Sequence, residues 1–280
     1  MQLHFVKINP SGNTTVLILD PLPREIYPLV AARSMKVECL AAEQVGFIES
    51  STNSEALARL QMMGGEFCWN ASLGFAAWLT KQKYSGILFQ KESKSWIVPI
   101  EVSGHNGVLN AVVSKGSSGE QFNVEAPMPV PLWIRWCHLK GIVSDIAIVC
   151  FQGIVHVIVW DITPSEEQVT KIKNFITHEL GNFECLGIMF FNENDLYLTP
   201  VVYVKRVNSL VWESSCGSGT VAVAAALADK KQKSVDSLYL AQPGGVIKVS
   251  TKWNGNVTEA KISEKVNFEA EGIVYLGDII

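Results

Sequence analysis

The chain reads as a mixed α/β (α+β) protein in which one plan is used twice, and three features of the sequence point that way. Two distant segments share a design: Gly65-Glu66-Phe67-Cys68-Trp69-Asn70-Ala71-Ser72 and Ser214-Ser215-Cys216-Gly217-Ser218-Gly219-Thr220 each set a cysteine directly before a run of small and apolar residues that predicts a helix. Short strand-like runs broken by turn residues recur in both halves in similar order. With 280 residues, 48% hydrophobic and 18% charged, the chain is long for one core and apolar enough for two.

Taken in order, residues 3–8 and 15–20 predict strands around the turn Asn9-Pro10-Ser11-Gly12-Asn13. Residues 23–34 carry Ile26, Leu29 and Val30 at helical spacing, and 44–49 predict a strand leading into a polar loop at 50–54. The first cysteine-headed helix runs over 71–80, and 87–89, 95–102 and 108–113 fit an antiparallel meander. The second half repeats this: strands at 141–150 and 155–161, then a helix at 165–178 with Ser165 as N-cap and Glu166 and Glu167 in its first turn. Strands at 186–191 and 197–204 feed the Cys216 turn and the alanine-rich helix at 221–228. Strands at 238–240, 246–251 and 258–262 close a second meander, and 266–276 gives one more. The domains are accordingly 1–120 and 121–265, with the boundary between Gly119 and Pro131 and the strand within 266–280 returning to the first.

A net charge of −4 argues against nucleic acid or an anionic membrane as partner. The opening Met1-Gln2-Leu3-His4-Phe5-Val6-Lys7 lacks a signal-peptide layout, and no apolar run is long enough to span a bilayer. The six cysteines, Cys39, Cys68, Cys137, Cys150, Cys185 and Cys216, form no disulfide framework in a chain of this length, so reduced thiols in the cytoplasm are expected. No Cys-x-x-Cys or His-x-x-x-His spacing indicates zinc, and no metal is expected.

The two cysteines carry chemistry. A thiol at a helix N-terminus feels the positive end of the helix dipole, which favours the thiolate. The free N–H groups of the first turn also hold an anion such as a carboxylate. Two such sites facing each other supply a thiolate base, a thiol acid and a cradle for an α-carboxylate. That equipment removes a proton from one face of a carbon and returns one to the other, as a racemase must. The bland reading, two buried structural cysteines, is disfavoured by their matching positions.

Asn9-Pro10-Ser11-Gly12-Asn13, Glu43-Gln44-Val45, Gly64-Gly65-Glu66-Phe67-Cys68, Ser215-Cys216-Gly217-Ser218-Gly219 and Gln242-Pro243-Gly244-Gly245 occur in the order found in the diaminopimelate epimerase superfamily, which the chain resembles over nearly its full length. Within the superfamily the segments are most similar to the histidine racemases of staphylopine-type metallophore biosynthesis. The resemblance implies two similar, pseudo-symmetric domains, each a mixed or antiparallel sheet wrapped around a central helix, with the active site in the cleft between them. It also implies a dimer, no cofactor, and an amino acid, L- or D-histidine, as substrate. Cys68 and Cys216 match the two catalytic cysteines. Asn13 matches a residue that binds the α-carboxylate or amino group, although it could serve only to hold its turn. Asn70, Gly217 and Ser218 would offer helix N-terminal groups to the carboxylate, and Glu213 would receive the ammonium. His156 matches a histidine near the catalytic centre, against which stands an ordinary packed imidazole. Glu43, with Gln44 beside it, would pair with the substrate imidazole, or else be a solvated acid at a strand start.

Departures from the pattern carry information as well. Diaminopimelate epimerases have Asn-Pro before the histidine, where this chain has Ile154 and Val155, and an Arg after the glutamate, where it has Ser214. The groups that would clamp a second aminocarboxylate are missing, and an unpaired charged end would cost several kcal/mol, on the order of 2–7, so diaminopimelate is disfavoured. Trp69 replaces the glycine that normally follows the first cysteine, and its bulk is expected at the pocket mouth. Three readings remain open at this level: a histidine racemase, a racemase of another amino acid, and a binding protein that has lost turnover.

Overall fold

The structure, a computed structural model, describes residues 1–139, 145–181, 183–205 and 208–277. The chain divides into two compact units, Met1–Pro127 with Ser263–Ile280, and Met128–Ile262.

In unit 1, β1 (Gln2–Pro10) and β2 (Thr15–Ile18) form a hairpin, and α1 (Tyr27–Ser34), preceded by one 3₁₀ turn at Arg24–Ile26, crosses over to β3 (Gln44–Glu49), which lies parallel to β2. β4 (Arg59–Met62) returns antiparallel to β3, and α2 (Trp69–Lys81) and β5 (Leu88–Gln90) lead to β6 (Ser95–Val102), parallel to β4. β7 (Val108–Lys115) and β8 (Gln121–Met128) continue the meander, and the final strand β17 (Val257–Tyr275) pairs with both β8 and β1. The sheet thereby closes around α2, which packs against β1, β2, β6 and β7. Closure explains the composition of α2: from Trp69 to Ala77 every residue is buried, as befits a helix apolar on all sides.

Unit 2 repeats this connectivity. β9 (Trp133–His138), β10 (Asp145–Phe151) and β11 (Ile154–Trp160) are antiparallel, and α3 (Glu166–Leu180) crosses to β12 (Cys185–Asn192), parallel to β11. β13 (Tyr197–Val204) and β14 (Ser209–Trp212) precede α4 (Gly217–Lys231), after which β15 (Val235–Gln242) pairs parallel with β13 and β16 (Gly245–Trp253) folds back on β15. α4 packs against β10, β11, β12, β15 and β16 and is buried from Gly219 to Ala228. The outer helices α1 and α3 instead bury one stripe each, Tyr27, Val30, Ala31 and Ser34 on α1, and Val169, Ile172 and Ile176 on α3.

A strand with a helix on each side is buried on both faces and reads as a continuous apolar run. β2 is one: Val16 and Ile18 join the α1 core, leaving Thr15 and Leu17 for the other face. In β11, Val155, Val157 and Val159 join the α3 core, which puts His156 and Ile158 on the opposite face, toward α4.

Four strands were not foreseen. β4 has only four residues and no alternation; the prolines at 127, 129 and 131 obscure β8 and β9; β14 is equally short. The two strands expected at 258–262 and 266–276 are one, β17, because alternation continues through residues 263–265. Of the strand expected at 141–150, residues 141–144 lie outside the described residues.

A charged ladder ties β3, β4 and β6 together. Glu49 pairs with Arg59 across β3–β4, and Arg59 with Glu101 across β4–β6. Glu101 also accepts from Thr52 N–H, Ser51 Oγ and Thr52 Oγ1, each at 2.8 Å. Burial alone would raise its pKa, but these donors and Arg59 hold it down at about 2. Replacing Glu101 with alanine strands these donors, and the expected loss is about 3 kcal/mol at pH 7, read from urea unfolding. Because the folded carboxyl titrates below its unfolded value, the wild-type advantage is complete above roughly pH 4.3 and fades as pH falls toward 2.

Candidate active site

Both central helices start in the same way. Cys68 caps α2 from an extended backbone (φ −125°, ψ 114°), and its Sγ accepts the Ala71 N–H at 3.4 Å. Cys216 caps α4 at φ −136°, ψ 109°, and its Sγ accepts the Gly219 N–H at 3.4 Å. Four residues on, a hydroxyl turns back to each cysteine carbonyl, Ser72 Oγ at 2.6 Å and Thr220 Oγ1 at 2.7 Å. The caps place sulfur where the first-turn N–H groups concentrate positive potential.

Unit 1 gathers Asn13, Glu43, Gln44 and Cys68. The Thr14 carbonyl accepts the N–H groups of Glu43 and Gln44 at 3.0 and 3.2 Å, which sets the start of β3 beside the turn between β1 and β2. Asn13 is buried and donates from Nδ2 to Glu43 Oε2 at 3.3 Å. Gln44 Oε1 accepts the Cys68 thiol at 2.6 Å. Asn70 is buried in the first turn of α2. Trp69 is 5% exposed, and its ring stands edge-on to Phe67 with centroids 4.7 Å apart.

Unit 2 gathers His156, Glu213, Cys216, Gly217, Ser218 and three residues that the sequence pattern does not assign, Gln242, Thr220 and Gly187. Gln242 Oε1 accepts the Cys216 N–H at 2.8 Å, while its Nε2 donates to Thr220 Oγ1 at 2.8 Å. This bridge seats the N-terminus of α4, and the Gly244 N–H bond to the Ser214 carbonyl at 2.7 Å closes the loop over it. His156 is fully buried; its Nε2 lies 3.0 Å from Ser218 Oγ, which lies 3.6 Å from Cys216 Sγ. The imidazole therefore reaches Cys216 through Ser218. Gly187, its partner in the β11–β12 register, makes room for it, since a Cβ there would overlap His156 Nδ1. Gln242 was visible in the Gln-Pro-Gly-Gly segment and the hydroxyls as Cys-x-x-x-Ser and Cys-x-x-x-Thr, whereas Gly187 left no local signal.

Electrostatics correct one expectation. The helix end was expected to favour the thiolate, yet burial pushes the Cys216 thiol well above its ordinary pKa, and the Glu213 carboxylate beside it pushes the same way. Contacts from Ser218 and the Gly219 N–H offset this only in part. Cys216 therefore keeps its proton at neutral pH. Burial likewise lowers the His156 pKa to about 3, so the ring is neutral at physiological pH. None of the six cysteines is in a disulfide, and among the described residues no three His, Cys, Asp or Glu side chains are grouped to hold a metal ion.

Residues 2–275 match the model of the histidine racemase CntK N-terminal domain. The chain belongs to the histidine racemase family. A histidine racemase of Fusobacterium nucleatum subsp. nucleatum is 35% identical over 285 residues, covering 98% of this chain and 97% of the relative. One from Staphylococcus aureus is 28% identical over 257 residues, covering 89% of each. The fold is shared more widely. A probable proline racemase from Agrobacterium radiobacter aligns with TM-score 0.65 at 12% identity, over 96% of this chain and 92% of its own. A PhzF-family phenazine biosynthesis protein from Bacillus anthracis aligns with TM-score 0.67 at 13% identity, over 98% and 99%.

Gly187→Ala should force the His156 ring from its place, lowering stability by about 1–3 kcal/mol in thermal or urea unfolding. Adding His156→Ala should recover most of that loss, because the overlap disappears with the ring.

Proposed function

We propose that the protein is a cofactor-independent histidine racemase that exchanges the α-proton of its substrate through Cys68 and Cys216. The observation that carries this reading is the duplicated cap: two cysteine thiols, each at the N-terminus of a buried helix, with similar backbone angles and the same sulfur-to-amide contact. The full-length match to histidine racemases supports the substrate.

In this scheme one cysteine takes the α-proton as thiolate while the other delivers a proton to the opposite face as thiol. The raised pKa of Cys216 suits it to the proton-donor role at the start of such a turnover. Reversal exchanges the roles. Negative charge developing on the substrate is met by first-turn N–H groups at Trp69 and Asn70, and at Gly217 and Ser218, in surroundings from which water is largely excluded. Ser218 and His156 orient the Cys216 thiol. Glu43, held by Asn13, accepts the substrate imidazole N–H and gives histidine its preference. D-histidine made in this way would suit assembly of an opine-type metallophore.

Incubation with L-histidine in D₂O should show α-proton loss by NMR together with decay of the circular dichroism signal. Cys68→Ser and Cys216→Ser should each reduce racemisation by at least about 10³-fold, or roughly 4 kcal/mol. Wild-type rates in either variant would end the two-thiol reading. Glu43→Gln should raise KM for histidine about tenfold, or about 1.4 kcal/mol, with a smaller change in kcat.

A further inference from the structure

β17 alternates inward Ala260, Ile262, Glu264 and Val266 with outward Glu259, Lys261, Lys265 and Asn267. Glu264 thus occupies a core position and is 2% exposed. Neither of its carboxyl oxygens is in a closed hydrogen bond among the described residues. Burial pushes its pKa up to about 7, and the Ser11 hydroxyl facing it draws it back only in part. The pairing of Pro10 with Val266 sets the next residues of the β1–β2 turn beside this carboxyl.

That turn is built to transmit position. Ser11 and Gly12 are consecutive left-handed residues (φ 47° and 86°), the Gly12 N–H bonds to Asn9 Oδ1 at 2.7 Å, and the Asn13 N–H bonds to the Pro10 carbonyl at 3.0 Å. It ends in Asn13, whose Nδ2 reaches Glu43. Charged groups on β17 and the elements beside it include Lys7 and Glu269, which pair with each other at 3.7 Å; Lys81 of α2, which pairs with Glu120 and Glu271; Glu125 on β8; Glu43, beyond Asn13; and the outward Glu259, Lys261 and Lys265. The burial cost of ionising Glu264 is therefore met by a hydroxyl and not by a cation.

We propose that Glu264 is a positioning residue for substrate binding: through Ser11 it holds the turn that carries Asn13, and it does so as a neutral carboxylic acid. The proposal rests on the assignment of Asn13 to the substrate in the reading above. Ionisation places an uncompensated charge under the turn, so Asn13 is displaced and affinity falls as pH rises.

The test compares wild type, Glu264→Gln and Ser11→Ala between pH 5.5 and 9. Amide resonances of Gly12 and Asn13, followed by NMR without substrate, should titrate together in wild type with a midpoint near pH 7 and stay flat in Glu264→Gln. The ratio of wild-type to Glu264→Gln KM for L-histidine should climb at least threefold from pH 6 to 8.5; titration of the substrate imidazole is common to both and cancels. Ser11→Ala should raise KM across the whole range. Since the folded pKa is raised, wild type should also lose melting temperature relative to Glu264→Gln as pH rises toward 7 and then level off. Flat wild-type amides, or a constant KM ratio despite altered melting, would overturn the proposal. Failure of wild type to exchange the histidine α-proton would count against the histidine racemase assignment alone, because the amide titration needs no turnover.

Discussion

The arrangement depends on one constraint: α2 and α4 have no polar face, so each must be enclosed by sheet on every side. Enclosure buries the helix N-termini, where the first N–H groups have no partner within the helix. Cysteine meets that requirement with a soft acceptor that is also an acid. The cap, the hydroxyl that returns from four residues on and the glutamine at each thiol or its backbone all follow from seating such an end inside a closed sheet.

The same enclosure controls protonation. Around Cys216, His156 and Glu264, desolvation is the largest influence on each group, and in every case it favours the neutral form. A helix dipole supplies a fraction of a charge and a few hydrogen bonds; withdrawal of water from a thiol outweighs it. Preparing these groups as neutral donors and acceptors suits chemistry in which charge develops on the substrate.

Much of the architecture was legible because both periodicities are clean. The Ser165 cap and the two cysteine-headed helices followed from local pattern, and the doubled plan appears in the structure as two crossovers per unit, β2–α1–β3 and β4–α2–β6 matched by β11–α3–β12 and β13–α4–β15. Short strands such as β4 and β14 were hidden, since four residues carry too few alternations to register. The orientation of the Trp69 ring is not written locally either, since a large aromatic after a cysteine does not fix which way it turns; its edge-on contact with Phe67 appears only in the fold.

By itself the sequence determined the doubled α/β plan, the two helices with no polar face and the thiols at their heads, because these depend on residues within a few positions of one another. Tertiary structure alone decided what those thiols are. Gln44 reaches Cys68 across 24 positions and Gln242 reaches the Cys216 backbone across 26. His156 arrives at Ser218 from 62 positions away, over a glycine on the neighbouring strand. Burial, which sets whether a group holds its proton, is a property of everything packed around it, and no local spacing encodes it.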